Sequence, residues 1–226
     1  DSHIRMFVEK DGIEHKIDIH LKKNKAKGAA IDGIPIKKSS ELMGMVNVVF
    51  FSPEDLAIIK NGPAERRHFM DMELCQLNKV YLHDISNYNK VVNQRNNLLK
   101  LAYYQESLRS TLDVWDAQLV RYGLRVFRER ERFIEQISKL IFPIHEKLSG
   151  GREHLDIRYE PNVDEKSFEE QLFMHRENDL RLKSTTIGPH RDDMGFYIDG
   201  MNVRKYGSQG QQRTAALSLK LAEIDL

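Results

Sequence analysis

Apolar and polar residues follow two different periods along this chain, and the change falls near Pro63. Before that residue the pattern alternates, most clearly over residues 17–21, as in a strand with one buried face. Asp11-Gly12 and Asp32-Gly33 separate the apolar segments with the dipeptide that favours tight hairpin turns. Residues 45–51 are mostly apolar and are followed closely by a proline, which predicts a strand buried on both faces. We therefore predict a small sheet in this first part of the chain.

After the change of period, apolar residues recur three, four and seven positions apart, which is typical of an amphipathic helix. One such series covers residues 81–102 and a second covers residues 112–148. Gly150-Gly151 predicts the end of the second helix. Because a short segment near residues 103–111 joins the two series, we predict an antiparallel helical arm.

The last part of the chain is predicted to contain both helices and short strands. A helix is predicted around residues 168–182, and Asp199-Gly200 predicts a further hairpin between short apolar strands. The final helix opens near Ser208. Its apolar face is formed by Ala216, Leu217, Leu221 and Ile224.

Composition narrows the class of protein. Of the 226 residues, 40% are hydrophobic and 31% are charged, which is the balance of a globular chain rather than a disordered or collagen-like one. No apolar stretch approaches the roughly 18 residues of a spanning helix, and the start does not resemble a signal peptide. We therefore expect a cytoplasmic protein without membrane contact. The one cysteine, Cys75, excludes an internal disulfide framework. A net charge of +1 identifies no partner.

The sharpest local pattern is Ser208-Gln209-Gly210-Gln211-Gln212, which opens the last helix. One interpretation is a capping box, with Ser208 as the N-cap and Gln211 three residues later. The other is a phosphate site, because a serine hydroxyl, a glycine and free N–H groups at a helix N-terminus together attract an anion. The spacing alone favours neither interpretation, and the two are compatible.

A complete nucleotide site is not found in the sequence. A P-loop has the pattern Gly-x4-Gly-Lys-Ser/Thr, and the near-match from Gly28 to Gly33 continues with Ile34-Pro35 instead. No run of four apolar residues ends in an Asp pair that could hold magnesium. We therefore assign no catalytic residue and no metal site to this chain, and we do not expect it to hydrolyse a nucleotide alone.

Residues 188–193, with the sequence GPHRDD, concentrate polar groups before a strand. His190 beside two carboxylates is compatible with acid–base or metal chemistry. No second His or Cys stands nearby at ligand spacing, so we favour a loop held by an Arg–Asp network. Arg191 and Asp192 are the expected pair, because they can bond in a forked geometry.

Basic residues form three clusters. We interpret the lysines of residues 22–27 as a solvated hairpin loop. The arginines of residues 121–132 are interpreted as a solvated helix face with ion pairs along the helix. Arg66 and Arg67 follow Pro63 at a helix start, where positive charge opposes the helix dipole. That placement favours an external anion such as a DNA phosphate.

Six segments, in order, resemble the bacterial RecF proteins. They are residues 49–56 (VFFSPEDL), 66–73 (RRHFMDME), 81–84 (YLHD), 94–96 (QRN), 188–193 (GPHRDD) and 206–214 (YGSQGQQRT). The likeness extends from about residue 45 to the end and is looser before it.

The resemblance implies a factor of DNA repair, replication, recombination and the SOS response, with an ATPase head of the ABC type related to SMC heads. It implies a weak DNA-dependent ATPase that dimerises around ATP and magnesium on gapped or junction DNA and works with RecO and RecR. Ser208, Gln209, Gly210, Gln211 and Gln212 would be the ABC signature motif, whose serine and glycine contact the γ-phosphate of ATP held by the opposite subunit.

The fold that the resemblance implies is α+β, a partial ABC-type head with an inserted helical lobe. Residues 1–61 and 186–226 would belong to the ATPase lobe, and residues 62–185 to the helical lobe. Family members carry a P-loop upstream and a magnesium-binding Asp pair downstream of the matched region, so we expect this chain to be the central part of such a protein.

The residues that contact DNA and the functional class of the protein both stay open. Arg66, Arg67 and Arg95 are our candidates for DNA contact, chosen from local charge within the resembling segments. The alternative to an ATP-dependent repair protein is a non-enzymatic module, in which a helical arm on a small sheet docks DNA or a protein.

Overall fold

In the computed structural model, which describes residues 1–226 apart from the side chain of Ser39, the chain forms two units. One contains residues 1–48 and 75–79, and the other contains residues 49–74 and 80–226. The division at residues 61 and 185 stays a prediction.

The first unit is built on an antiparallel sheet with the strand order β1-β2-β3-β4. The strands are β1 (Ser2–Lys10), β2 (Ile13–Leu21), β3 (Gly28–Ile31) and β4 (Ile34–Ile36). Asp11-Gly12 and Asp32-Gly33 both have positive φ angles, as a type I′ hairpin turn requires. The two predicted hairpins are therefore confirmed.

The prediction of a buried strand over residues 45–51 is wrong. Within the described residues this segment takes part only in an isolated bridge between Met43 and Val46. Val48 and Phe50 are 58% and 70% exposed. The backbone N–H of Val48 donates to the side-chain Oε1 of Gln76 at 2.8 Å. An apolar run becomes a central strand only where neighbouring strands accept its backbone hydrogen bonds.

Helices dominate the rest of the chain. In chain order they are α1 (Leu56–Lys60), α2 (Pro63–Leu77), α3 (Lys79–Ala102), α4 (Leu112–Ser149), α5 (Phe168–Met174), α6 (Arg176–Leu182), α7 (Val203–Tyr206) and α8 (Gln209–Ala222). In the part of the chain that the structure describes, no helix is both long enough and apolar enough to cross a bilayer.

Helices α3 and α4 run antiparallel, as predicted. Arg95, late in α3, bonds Asp116 near the start of α4. Tyr81, at the start of α3, instead receives a hydrogen bond from Arg130, further along α4. Helix α4 ends where predicted, because Gly150 adopts the left-handed conformation that stops the helix.

A second antiparallel sheet has the order β5-β6-β7, with β5 (Leu155–Glu160), β6 (Asp193–Ile198) and β7 (Met201–Asn202). The turn at Asp199-Gly200 has positive φ at both residues and confirms the third predicted hairpin. Strand β5 was not predicted, although apolar and charged residues alternate along it. The helix predicted over residues 168–182 is divided into α5 and α6 at His175.

Helix α8 packs against α4 and α1, which fixes the position of its first turn. Ala215, Leu219 and Ala222 of α8 are fully buried, as are Ile137 and Ile141 of α4. The N-terminus of α8 lies at the exposed end of this packed layer, because Ser208, Gln209 and Gly210 are all exposed.

Candidate functional site

The first turn of α8 is closed by a capping box between Ser208 and Gln211. The Ser208 Oγ accepts from the Gln211 backbone N–H at 3.2 Å, and the Gln211 Oε1 accepts from the Ser208 backbone N–H at 2.8 Å. The Gln212 amide donates to the carbonyl oxygens of Val203 and Gly207, which holds the turn between α7 and α8. The capping interpretation is therefore confirmed. The phosphate interpretation is compatible with it, because Ser208 remains exposed.

The fold leaves room for a side chain at Gly210. A Cβ at this position would meet only the Ser208 Oγ, at 3.7 Å. The neighbouring Gly207 differs, since a Cβ there would lie 2.5 Å from the Val203 carbonyl oxygen. The fold therefore explains why residue 207 is a glycine. It gives no such reason for residue 210.

Two residues that the sequence did not single out lie behind the capping box. Gln211 Nε2 donates to Glu153 Oε1 at 3.1 Å, and Glu153 Oε2 lies 3.3 Å from His145 Nε2. Burial lowers the pKa of His145 below its ordinary value, against the opposing effect of Glu153. The local sequence carried no signal for this contact, because Glu153 is 58 residues from Gln211 along the chain.

A cavity of about 490 Å³ adjoins the opposite side of α8. Its wall is mainly apolar, with Arg213 and Lys220 from α8 and Asp55 from the segment before α1. Lys220 forms an ion pair with Glu223, and burial raises the pKa of Glu223 to about 7. The cavity is thus partly charged along the side that α8 provides.

The loop of residues 188–193 is held by a buried polar network, as favoured from the sequence, but the expected pair is wrong. Arg191 donates to the Thr185 carbonyl oxygen and approaches the Ser184 hydroxyl. Asp192 instead accepts from the Tyr159 hydroxyl and from Arg130 Nη1 at 3.2 Å. Burial raises the pKa of Asp192 to about 6, against the opposing effect of Arg130.

His190 belongs to the same network. Its Nε2 lies 2.9 Å from the Thr185 carbonyl oxygen, and its Nδ1 lies 2.7 Å from the Tyr88 hydroxyl. Because a carbonyl can only accept, Nε2 carries the proton and Nδ1 accepts from Tyr88. Burial lowers the pKa of His190 to about 4. A neutral imidazole with both nitrogens bonded has a structural role in this conformation.

The arginines of residues 121–132 are not all solvated. Arg132 pairs with Glu129 on the exposed face, as the sequence suggests. Arg130 is 1% exposed and bonds Asp71, Asp192 and the Pro189 carbonyl oxygen. An arginine lies in a core where carboxylates from distant segments surround it, and local spacing does not reveal such partners.

Arg66 and Arg95, two of the three candidates for DNA contact, are buried. Arg66 forms a two-point ion pair with Asp193 at 2.6 and 2.9 Å. Arg95, which is fully buried, bonds Asp116 and Asp179, each at 2.6 Å. The anion that the position of Arg66 suggested is thus an internal carboxylate. Contact with DNA would require an exposure that these two side chains do not have here.

Arg67, the third candidate, is partly exposed. Its Nη1 donates to the Asp192 carbonyl oxygen at 2.7 Å. The three arginines are therefore not brought together on one surface.

No protein-family model matches the chain. Over all 226 residues it is 62% identical to the DNA replication and repair protein RecF of Lachnoclostridium phytofermentans. It is 42% identical over 231 aligned positions to the protein of the same name from Clostridium botulinum (strain Loch Maree / Type A3). The chain spans 63% of the length of both relatives.

Solved structures agree with the sequence relatives. A structure of the recombination mediator protein RecF-ATPrS in the RecFOR pathway superimposes with a TM-score of 0.90 at 34% identity. A second, of RecF-ATP, superimposes with a TM-score of 0.88. Each match covers 99% of this chain and 62% of the solved chain. Over its whole length the chain therefore has the sequence of a fragment of the RecF proteins and the fold of a partial ABC-type ATPase head with a helical lobe.

Proposed function

We propose that a protein containing this chain is an ATP-dependent DNA-binding protein of recombinational repair and replication restart, acting in the cytoplasm. In this proposal two copies close around ATP, and the first turn of α8 contacts nucleotide held by the other copy. The RecF structures described with ATP and ATPrS support nucleotide binding by the family.

The observation that carries the proposal is that no neighbour crowds Gly210. Glycine in a helix is up to about 1 kcal/mol less favourable than alanine. No close contact explains it here, since a Cβ would meet only the Ser208 Oγ at 3.7 Å. A phosphate approaching the backbone N–H groups of the first turn would occupy the space that a side chain fills. Gly210 is therefore suited to a ligand rather than to the packing of this chain.

Ser208 and Gly210 are the residues that would hold the γ-phosphate. The Ser208 hydroxyl caps its own helix and stays exposed, so it can also donate its proton to a phosphate oxygen. ATP, when bound, supplies a charged bridge between the two copies. Contacts made only in the closed dimer would couple ATP binding to closure. Magnesium coordination is not assigned to residues of this chain.

DNA contact, in this proposal, comes from cations that are free to meet phosphates. The β2–β3 loop places Lys22, Lys23, Lys25 and Lys27 in exposed positions. Binding through about six phosphates falls roughly a thousandfold in affinity between 50 and 200 mM salt. The partners RecO and RecR are proposed from the similarity to the RecF proteins.

Sedimentation tests whether the first turn of α8 contacts the nucleotide held by the other copy. In a protein of the relatives' full length that contains these residues, ATP with magnesium should produce dimers. Ser208→Arg should abolish the dimers, because a long cationic side chain fills the phosphate position. Asn202→Ala is the matched control, since it removes the N-cap of the neighbouring α7 without touching the first turn of α8. Normal dimers in Ser208→Arg would leave residues 208–212 as a helix cap alone.

A further inference from the structure

Gln211 is bonded at both ends of its side-chain amide. Its Oε1 accepts from the Ser208 backbone N–H at 2.8 Å, and its Nε2 donates to Glu153 Oε1 at 3.1 Å. The two ends of an amide differ, one accepting and one donating. A carboxylate at the donor end therefore selects the orientation in which the oxygen faces Ser208.

Glu153 is itself held in place from its other oxygen. Its Oε2 lies 3.3 Å from Nε2 of His145, and Nδ1 of His145 lies 2.9 Å from Oγ of Ser218. An ionised carboxylate can only accept, so His145 donates from Nε2. The Ser218 hydroxyl has one proton and two acceptors within reach, Nδ1 of His145 and the Thr214 carbonyl oxygen at 2.8 Å. Ser218 and His145 together therefore hold the Glu153 carboxylate from the side opposite Gln211.

These residues connect two elements of the second unit. His145 is fully buried in the last turns of α4, and Glu153 lies in the segment between α4 and β5. Ser218 and Gln211 are both on α8. His145 at the end of α4 and Glu153 just after it therefore hold α8 at two points, Ser218 and Gln211, which are about two turns apart along α8.

We propose that Glu153 is a positioning residue for the nucleotide contact of Ser208, with His145 as its support. This inference rests on the proposed function of the α8 N-terminus. The Glu153 carboxylate fixes the Gln211 amide, and that amide fixes the backbone of Ser208. Without the carboxylate the amide is free to rotate, and the serine is held at its hydroxyl alone.

The capping box by itself does not account for Glu153. Ser208 and Gln211 satisfy each other's backbone N–H groups, which is all that a cap requires. Glu153 adds no further N–H bond to the helix terminus. Its effect is to restrict the geometry of a motif that is already capped. Restriction of this kind matters when a ligand must meet several donors at once.

Three substitutions at one position separate geometry from charge. Glu153→Ala removes the contact. Glu153→Asp keeps the charge but withdraws the carboxylate by about one carbon–carbon bond, ~1.5 Å. Glu153→Gln removes the charge but keeps the length of the side chain. Its oxygen can accept from Gln211, and its amide can donate to His145 in the other tautomer, because Ser218 Oγ can donate to the Thr214 carbonyl oxygen at 2.8 Å.

The measurement is the ATP-induced dimer dissociation constant of the full-length protein, by sedimentation. We expect Glu153→Ala to weaken the dimer at least tenfold, which is the effect of about 1.4 kcal/mol. Glu153→Asp should weaken it similarly, and Glu153→Gln should restore most of the affinity. Glu146→Ala is the matched control, because Glu146 is an exposed glutamate near the end of the same α4. It should dimerise normally.

The outcomes are distinct. If Glu153→Ala dimerises as well as the unaltered protein while Ser208→Arg does not, the positioning role is wrong and the proposed function stands. If Ser208→Arg also dimerises normally, both fail. If Glu153→Ala does not fold, the other two variants decide. Normal dimers in Glu153→Asp, with loss in Glu153→Gln, would mean that charge and not position matters, and would overturn the proposal.

Discussion

Two glycine-containing loops of this chain differ in their surroundings. Residues 188–193 and residues 207–212 each combine a glycine with polar side chains at the start of a helical turn. At Gly188 a Cβ would lie 2.5 Å from the Tyr88 hydroxyl, whereas at Gly210 it would meet only an oxygen at 3.7 Å. Asp192 is fully buried, whereas Ser208 is exposed.

The difference separates a structural loop from a candidate binding site. In the first loop the glycine fits a crowded site, and the buried polar groups bond one another. In the second loop Gly207 is also explained by a neighbour, but Gly210 is not, and the serine faces solvent. A motif whose residue types the fold already explains carries little information about function. A motif that the fold does not explain indicates a ligand.

Breaking the first loop should produce the largest loss of stability. Arg130→Met removes the cation that bonds Asp71 and Asp192 in the core. Asp71 is partly exposed, but Asp192 is fully buried, and leaving a buried carboxylate without its partner costs about 3–5 kcal/mol. Urea unfolding should show that loss. Arg132→Met is the control, because Arg132 is exposed on the same helix and pairs only with Glu129 among the described ion pairs. It should change stability by less than about 0.5 kcal/mol. An equal effect of both variants would contradict the structural role of Arg130.

Gly188→Ala tests whether the neighbours of Gly188 leave room for a side chain. Gly188 has a φ of +126°, and a Cβ would also lie 3.1 Å from the Phe168 ring. Backbone strain and overpacking each cost about 1–3 kcal/mol, so we expect a loss of about 2–4 kcal/mol. Gly200→Ala is the control, since its φ is also positive but no atom lies within 4 Å. That variant should lose only about 1 kcal/mol in the same denaturant series. Equal losses would show that strain, not contact, limits residue 188.

His190 should make the loop sensitive to acid. Its pKa in the folded chain is about 4, below the 6.5 of the unfolded chain. The unfolded chain therefore binds more protons between pH 6.5 and 4, and stability is lost as the pH falls through that window. We expect a loss of about 1–2 kcal/mol between pH 7 and pH 5 that is absent in His190→Gln. Unfolding curves at the two pH values measure it.

Asp192 contributes with the opposite sign. Its pKa of about 6 lies above the ordinary value, so its contribution to stability is present at low pH and lost as the pH rises through about 4 to 6. The difference between the unaltered chain and His190→Gln isolates the histidine, because Asp192 is present in both. A pH dependence that is identical in the two would show that His190 is not titrating in this window.

The sequence revealed local structure better than distant contacts. Three Asp-Gly turns were found because a type I′ turn is encoded in two adjacent residues. The long helices followed from spacing along one face. The strand over residues 45–51 was wrong, because a central strand depends on neighbours that a local pattern does not show.

The candidate site was predictable only in part, for the same reason. The cap at Ser208 is local and was visible in the spacing. The partners of Arg66 and Arg95 come from residues 127 and 84 positions away, and both arginines looked like surface cations in the sequence. Glu153 is likewise remote from Gln211. Charge alone does not distinguish a buried ion pair from a surface that binds DNA.

The smallest effect on stability should come from the second loop, at Gly210. Gly210→Ala places a methyl group where its nearest neighbour is the Ser208 Oγ at 3.7 Å, an ordinary contact. Because alanine favours the helix by up to about 1 kcal/mol, the unfolding free energy should stay equal or rise. The same methyl group lies where a phosphate would approach the first turn, so the ATP-induced dimer should weaken at least tenfold. Thermal unfolding and sedimentation of one preparation measure both quantities. A variant that is more stable but cannot dimerise would show that Gly210 is kept for the ligand, and one that dimerises normally would remove the γ-phosphate contact from this position.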